Sequence, residues 1–297
     1  MIQQKHEQDD TNSQPPVHQK PHSDTSQHSQ PWKWRRWLQY QQRWLLTLLP
    51  AIICLSLLLV AWQWYTLQSG IDVLLLPSPL LVGSVLVDQR DLLWSHTLVT
   101  LYETVVGLGA ALVTGALFAT LMDFSSWLRR GIYPLLVMSQ TIPFVALAPL
   151  LILWFGFGLF SKVFLITLVC FFPITVALTD ALSATDPEAI KLYHTFGANR
   201  VRIFWSLRLP GAVPALFSGI RIAVSYSILS AIFSEYIGSM EGLGFYMQVS
   251  QHSFATAAVI ATVVVTSLLT SVLFGLTSLI ERLVIPWYYI TSKPDEQ

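Results

Sequence analysis

The chain has 297 residues, 53% of them hydrophobic and only 11% charged, where soluble domains average roughly 25% charged. With a mean hydropathy of +0.55 and so few charges it could not cover a soluble globule, which makes it a membrane protein. Its 17 basic and 17 acidic residues cancel, and they form no basic cluster of the kind phosphate backbones require, which excludes nucleic acid as the main partner.

Residues 1–31 are rich in Gln, Ser, Pro and His and hold almost nothing that could be buried. Such a segment cannot offset the entropy of folding and reads as a disordered cytoplasmic tail. Its histidines (His6, His18, His22, His28) are irregularly spaced among Gln and Ser, so no metal site is expected. Residues 32–93 follow as a basic and aromatic lead-in, a first membrane span and an outer loop. Six apolar runs are long enough to cross a bilayer, at about 20 residues each: 45–65, 97–121, 131–155, 160–180, 214–236 and 256–280. Trp37, Tyr40 and Trp44 on one side of the first run, and Trp62, Trp64 and Tyr65 on the other, are interfacial belts.

Basic residues set the orientation. Lys33, Arg35, Arg36 and Arg43 precede the first span, Arg129 and Arg130 join the second and third, and Lys191, Arg200, Arg202 and Arg208 join the fourth and fifth. The opposite loops carry Arg90 and Lys162. By the positive-inside rule both termini are cytoplasmic. The expected fold is therefore an all-α, multi-pass bundle of six transmembrane helices in the cell (inner or plasma) membrane.

Within lipid, helices approach through small residues. The second span carries Gly107, Ala111, Gly115 and Ala119 at steps of four; the fifth carries Ala215, Gly219, Ala223, Ser227 and Ala231, with Glu235 next. Steps of four mark one face, predicting a helix contact within the chain or across a dimer. Pro143 and Pro149 should kink the third span. Cys54 and Cys170 sit in separate apolar runs, so neither a disulfide framework nor a zinc site is expected.

The cytoplasmic loop 181–213 is too polar to cross and too patterned to be a linker. Asp186, Pro187 and Glu188 make a helix start, Gly197 a stop, and 199–207 a second short helix that Leu209-Pro210 should break. The loop reads as an amphipathic helical pair, with a helix lying on the lipid as its alternative.

At this point the chain resembles the membrane permease subunits of binding-protein-dependent ABC importers. Their loop motif reads E-A-A, three residues, G, nine residues, I-x-L-P. Gly197, followed by Ala198, and the tetrad Leu207-Arg208-Leu209-Pro210 match its second half. At the E-A-A positions stand Lys191, Leu192 and Tyr193, with Glu188 three residues early. The resemblance covers 94–287, leaving 288–297 as a tail. It implies the MetI-like permease fold, an ATPase-coupling role for Glu188, Lys191, Gly197, Ala198, Leu207, Leu209 and Pro210, and no cofactor or catalytic residue. It also implies partners: ABC ATPase subunits, an external solute-binding protein and a second permease copy. Ser139-Gln140-Thr141-Ile142-Pro143, 146–162 (ALAPLLILWFGFGLFSK), Phe171-Phe172-Pro173 and 234–247 (SEYIGSMEGLGFYM) are similar to the nitrate, sulfonate and taurine group. Within it they are most like permeases for pyrimidine precursors of thiamine, with sulfonate, taurine or nitrate as the alternative solutes.

Ionisable groups inside a span are costly, and mark either a pathway or a structural pair. Glu103, Arg221 and Glu235 stand out, and with Gln140, Thr141 and Pro143 they are the translocation-path candidates. Asp180 and Glu281 fall at span ends, where interface placement explains them. Gly242-Leu243-Gly244 suggests a tight outer turn. An intramembrane enzyme is the distant rival, but H-E-x-x-H and G-x-S-x-G are missing. No phosphate-loop motif is present either, so ATP must be used by a separate subunit.

Overall fold

A computed structural model describes residues 32–291, with side chains described for 49–288. The tail 1–31, the side chains of the first aromatic and basic belt, and residues 292–297 lie outside what is described. The chain divides into two units, Met1–Leu57 and Leu58–Gln297, the boundary falling within the first helix. In the first unit that helix is regular, and its described side chains, Ile52, Ile53, Leu55 and Leu57 among them, are exposed.

Among the described residues every regular element is helical. These are α1 (Trp32–Gln68), α2 (Pro79–Asp88), α3 (Arg90–Phe124), α4 (Ser126–Ser139), α5 (Phe144–Phe155), α6 (Leu159–Ser183), α7 (Pro187–Thr195) and α8 (Arg200–Ile203). After a π turn (Phe204–Arg208) come α9 (Leu209–Gly238), α10 (Leu243–His252), α11 (Thr256–Val284) and α12 (Pro286–Thr291). Five are long and apolar enough to cross a membrane. The predicted third span is instead two helices, α4 and α5, meeting at 102°, and they make a sixth crossing only if counted together.

Pro143 explains that bend: it lacks a donor for the ladder and stands in extended backbone just before α5. Pro149 does not bend the chain, contrary to expectation. It lies inside α5, where it removes only the ladder bond to Val145. Further elements were not foreseen, among them α2, α10 and the short α12. α2 is capped by the Ser78 hydroxyl, which accepts from the Leu81 N–H at 3.3 Å, with Pro79 in its first turn. α10 occupies the predicted outer turn.

α6 is the centre of the second unit, packed along its length between α3 and α9. Both small-residue faces meet it. A Cβ on Gly107 would meet Ile166 and one on Gly115 would meet Ile174, while one on Gly219 would lie 2.8 Å from the Pro173 carbonyl oxygen. Ile166, Cys170 and Ile174 of α6 fill the space against Ala111, Ala223 and Ala231. The predicted contacts thus form within one chain. α11 closes the bundle against α9, α10 and α2.

The fifth span also begins earlier than expected. Leu209-Pro210 does not break the helix; helical backbone continues from Arg200 to Gly238. A proline ring collides with the carbonyl four residues back. The π turn widens the helix at that point, so that the Leu209 N–H reaches the Phe204 carbonyl instead.

Candidate functional site

The break between α4 and α5 opens a cavity of about 550 Å³. Gln140, Thr141 and Pro143 line it from the break, Phe172 from α6, and Ile222 and Tyr226 from α9. The Ser139 and Thr141 hydroxyls donate to carbonyls of their own helix turn, Leu136 at 2.6 Å and Met138 at 2.7 Å. Among the described residues, no acidic, basic or histidine side chain lines this cavity. Three of the path candidates named from sequence are therefore together; Phe172, quoted from sequence only within a family-like run, and Tyr226, which sequence reasoning passed over, join them.

Glu103 and Glu235 lie elsewhere, in a buried polar cluster at the end of the bundle that carries α2 and α10. Lys162 donates to Glu103 at 2.6 Å and to the Ser239 hydroxyl at 2.7 Å. Lys162 is thus a residue of α6, only 6% exposed, and not an outer-loop cation. A charge at the edge of an apolar run reads as loop unless its counter-ion, 59 positions away, is known.

Beside this pair the turn Gly242-Leu243-Gly244 is clasped by side chains of two helices. The Gly242 N–H donates to His96 Nδ1 at 3.0 Å, the Leu243 N–H to the Thr100 hydroxyl at 2.9 Å, and the Gly244 N–H to Glu235 at 2.7 Å. Thr100 in turn donates to Glu235 at 3.1 Å. Each group satisfies one of the free donors at the start of α10, and the bond accepted on Nδ1 fixes the His96 proton on Nε2. Nearby, the Tyr246 hydroxyl bonds to Gln89, and burial raises the phenol's pKa.

Arg221, the last path candidate, is ion-paired with Glu281 of α11. Glu281 is 2% exposed, so interface placement does not account for it. The pair borders a second cavity, of about 790 Å³, together with Pro214, Ser218, Trp287 and Tyr288.

At the other end of the bundle lies the predicted coupling loop. Asp186 caps α7 by accepting from the Glu188 N–H at 2.8 Å. Gly197 ends α7 with φ 75°; its N–H donates to the His194 carbonyl at 2.9 Å and the Ala198 N–H to that of Tyr193 at 3.0 Å, a Schellman cap. Glu188 and Lys191 are exposed, Ala198 is buried, and Leu207, Leu209 and Pro210 are half-buried. Leu192, Phe196, Val201 and Trp205 stand out from the loop. Phe204 plugs it into the bundle between Ala119, Leu178 and Ala212, and Arg208 bridges to Asp123 of α3 at 2.6 Å.

The family described as "Binding-protein-dependent transport system inner membrane component" matches residues 111–286. A probable ABC transporter permease protein of Haemophilus influenzae is 40% identical over 67% of this chain and 82% of its own. The formylaminopyrimidine transport permease protein ThiX of Halalkalibacterium halodurans is 36% identical, covering 78% of this chain and 92% of its own. The taurine transport system permease protein TauC of Escherichia coli is 30% identical, over 88% and 95%. Among solved structures, a chain of the inward-facing MetNI methionine ABC transporter superposes with a TM-score of 0.59 at 20% identity, over 66% of this chain and 98% of that one. It shows the MetI-like fold.

Proposed function

The chain belongs to the binding-protein-dependent transport system inner membrane components, and from that premise we propose that the solute it passes is a small, uncharged aminopyrimidine precursor of thiamine. It is the multi-pass permease subunit of an ATP-driven importer for a small solute, and ATP hydrolysis belongs to a separate subunit. The observation that carries the solute class is the absence of ionisable side chains among the described residues lining the cavity at the α4–α5 break, the phenol of Tyr226 apart. A nitrate or sulfonate entering it would lose hydration with no cation to replace it, whereas a neutral ring would not. Identities of 36% to the formylaminopyrimidine permease and 35% to a riboflavin permease, against 30% to the taurine permease, support an uncharged heteroaromatic solute over an anion.

In this reading Gln140, Thr141 and Pro143 belong to the path, while Glu103 and Glu235 hold the outer turn and Arg221 holds α11. Charge supports an orientation with both termini and the α7–α8 loop in the cytoplasm. Arg129, Arg130, Lys191, Arg200 and Arg202 lie toward that end, and with Lys162 consumed by Glu103 the outer side keeps Arg90. The apolar side chains standing out from the loop are the docking surface for the ATPase. A second copy facing the open cavity would complete the path, which supports a homodimer, and the outer turn faces the solute-binding protein.

Two experiments test this. Titrating the partner binding protein with a formylaminopyrimidine, taurine and nitrate should give tight binding of the pyrimidine; binding of an anion alone would overturn the solute assignment. Gly197→Val costs about 1–2 kcal/mol of left-handed backbone strain but meets no neighbour within 4 Å. The variant should therefore insert normally and lose uptake in reconstituted vesicles while ATP hydrolysis persists. Unchanged uptake would mean the loop only rests on the lipid.

A further inference from the structure

The cavity at the break offers more than neutrality. Its polar side chains divide into those already satisfied by the protein and those left over. The Ser139 and Thr141 hydroxyls are spent on their own helix turn. The Gln140 amide and the Tyr226 hydroxyl have no hydrogen-bonding partner among the described residues, and both line the same space. An amide supplies a donor pair and an acceptor in one plane, and a phenol supplies one of either. Together they match the ring nitrogens and amino group of a heteroaromatic, which also needs flat apolar surfaces against its faces.

Those surfaces are present and held in place. Phe144 sits edge-on to Phe233, with centroids 6.3 Å apart at 82°. Phe172 is likewise fixed edge-on by Phe171, at 5.4 Å and 70°, which in turn packs edge-on against Phe118. Both rings line the cavity without needing to be reoriented by a solute. Its volume of about 550 Å³ is of the size that holds a small organic molecule.

We propose that this cavity is a solute subsite within the permease, in which Gln140 and Tyr226 are the specificity-determining contacts for an uncharged heteroaromatic ring lodged against Phe144 and Phe172. The proposal rests on the solute class assigned above. The permease therefore reads the solute a second time, after the binding protein has released it. Among the described residues no charged side chain in the wall compensates an anion at this point.

The test uses the full complex of permease, ATPase subunit and binding protein in vesicles, with radiolabelled formylaminopyrimidine, taurine and nitrate in parallel, comparing wild type with Gln140→Leu and Tyr226→Phe. Each variant removes hydrogen-bonding capacity from an exposed position that no bond within the described chain uses, so folding is not at risk, and elution from a sizing column verifies it. Loss of one net hydrogen bond corresponds to about threefold to tenfold in binding. Uptake per ATP hydrolysed should fall by about that factor in each variant. Gln140→Lys should depress pyrimidine uptake further. If wild type carries the pyrimidine and the variants match it, the subsite falls while the solute assignment stands. If wild type carries taurine or nitrate and no pyrimidine, the assignment itself fails and the subsite with it.

Discussion

Replacing Gly244 with valine is expected to abolish recovery of folded permease. A Cβ at this position would run into the Ile232 carbonyl oxygen and lie 2.8 Å from both the Tyr236 nitrogen and the Glu235 Cβ. Two of these are backbone atoms of α9, so no side chain can swing aside. Relief would require lifting α10 off α9, which would break the bond from the Gly244 N–H to Glu235 and leave a buried carboxylate without it. The cost should be about 3 kcal/mol or more. Gly83→Ala is the matched control, because a Cβ there meets nothing within 4 Å. Thermal unfolding in detergent, followed by loss of monodisperse protein, should separate the two; equal stability would mean that α10 is not seated as described.

Lys162→Met carries the second large effect. Glu103 is 3% exposed, and with its counter-ion gone it must either hold a charge in a dry site or take up a proton, either of which costs stability. Removing one partner of a buried ion pair costs about 3–5 kcal/mol. The Ser239 hydroxyl would also lose the ammonium, loosening the outer turn. The double variant Lys162→Met with Glu103→Gln should recover most of the lost stability, since the amide needs no cation. Were the double variant as unstable as the single one, the lysine would matter for packing and not for charge.

How far the sequence foretells this structure depends on whether a residue's partner is near it in the chain. The apolar runs, the α7 cap and its left-handed Gly197 are local, and each was legible from residues within a turn or two. The α2 start carries the same kind of local signal, Ser78 followed by Pro79, and was missed because its apolar stretch is too short to register as a span. Pro143 and Pro149 look alike in sequence and behave differently, because only Pro143 falls where the chain leaves one helix for another. The ion pairs were illegible: Glu103 and Lys162 are separated by 59 positions, Arg221 and Glu281 by 60. A charge inside a span announces that a partner exists without saying which. The small-residue faces of α3 and α9 foretold contact, but not that both would meet α6. The cavity was half legible, through the Gln140 to Pro143 run, because the residues facing it come from helices whose relative placement no local pattern encodes.

The π turn before α9 sets an azimuth. An α-helix advances about 100° per residue at 3.6 residues per turn, so the one extra residue in Phe204–Arg208 rotates everything on one side of it by that amount relative to an uninterrupted helix. With the turn in place, Phe204 points into the bundle while Gly219, Ala223 and Glu235 face α6, α3 and α10. Deleting any one of these five positions would restore regular winding and leave the two faces out of phase. Either α7 and α8 would swing away from the bundle, or the small-residue face of α9 would turn away from α6 and α3. The 39 residues from Arg200 to Gly238 span about 58 Å as a helix, running from the α7–α8 loop to the Glu235 side chain that holds the start of α10.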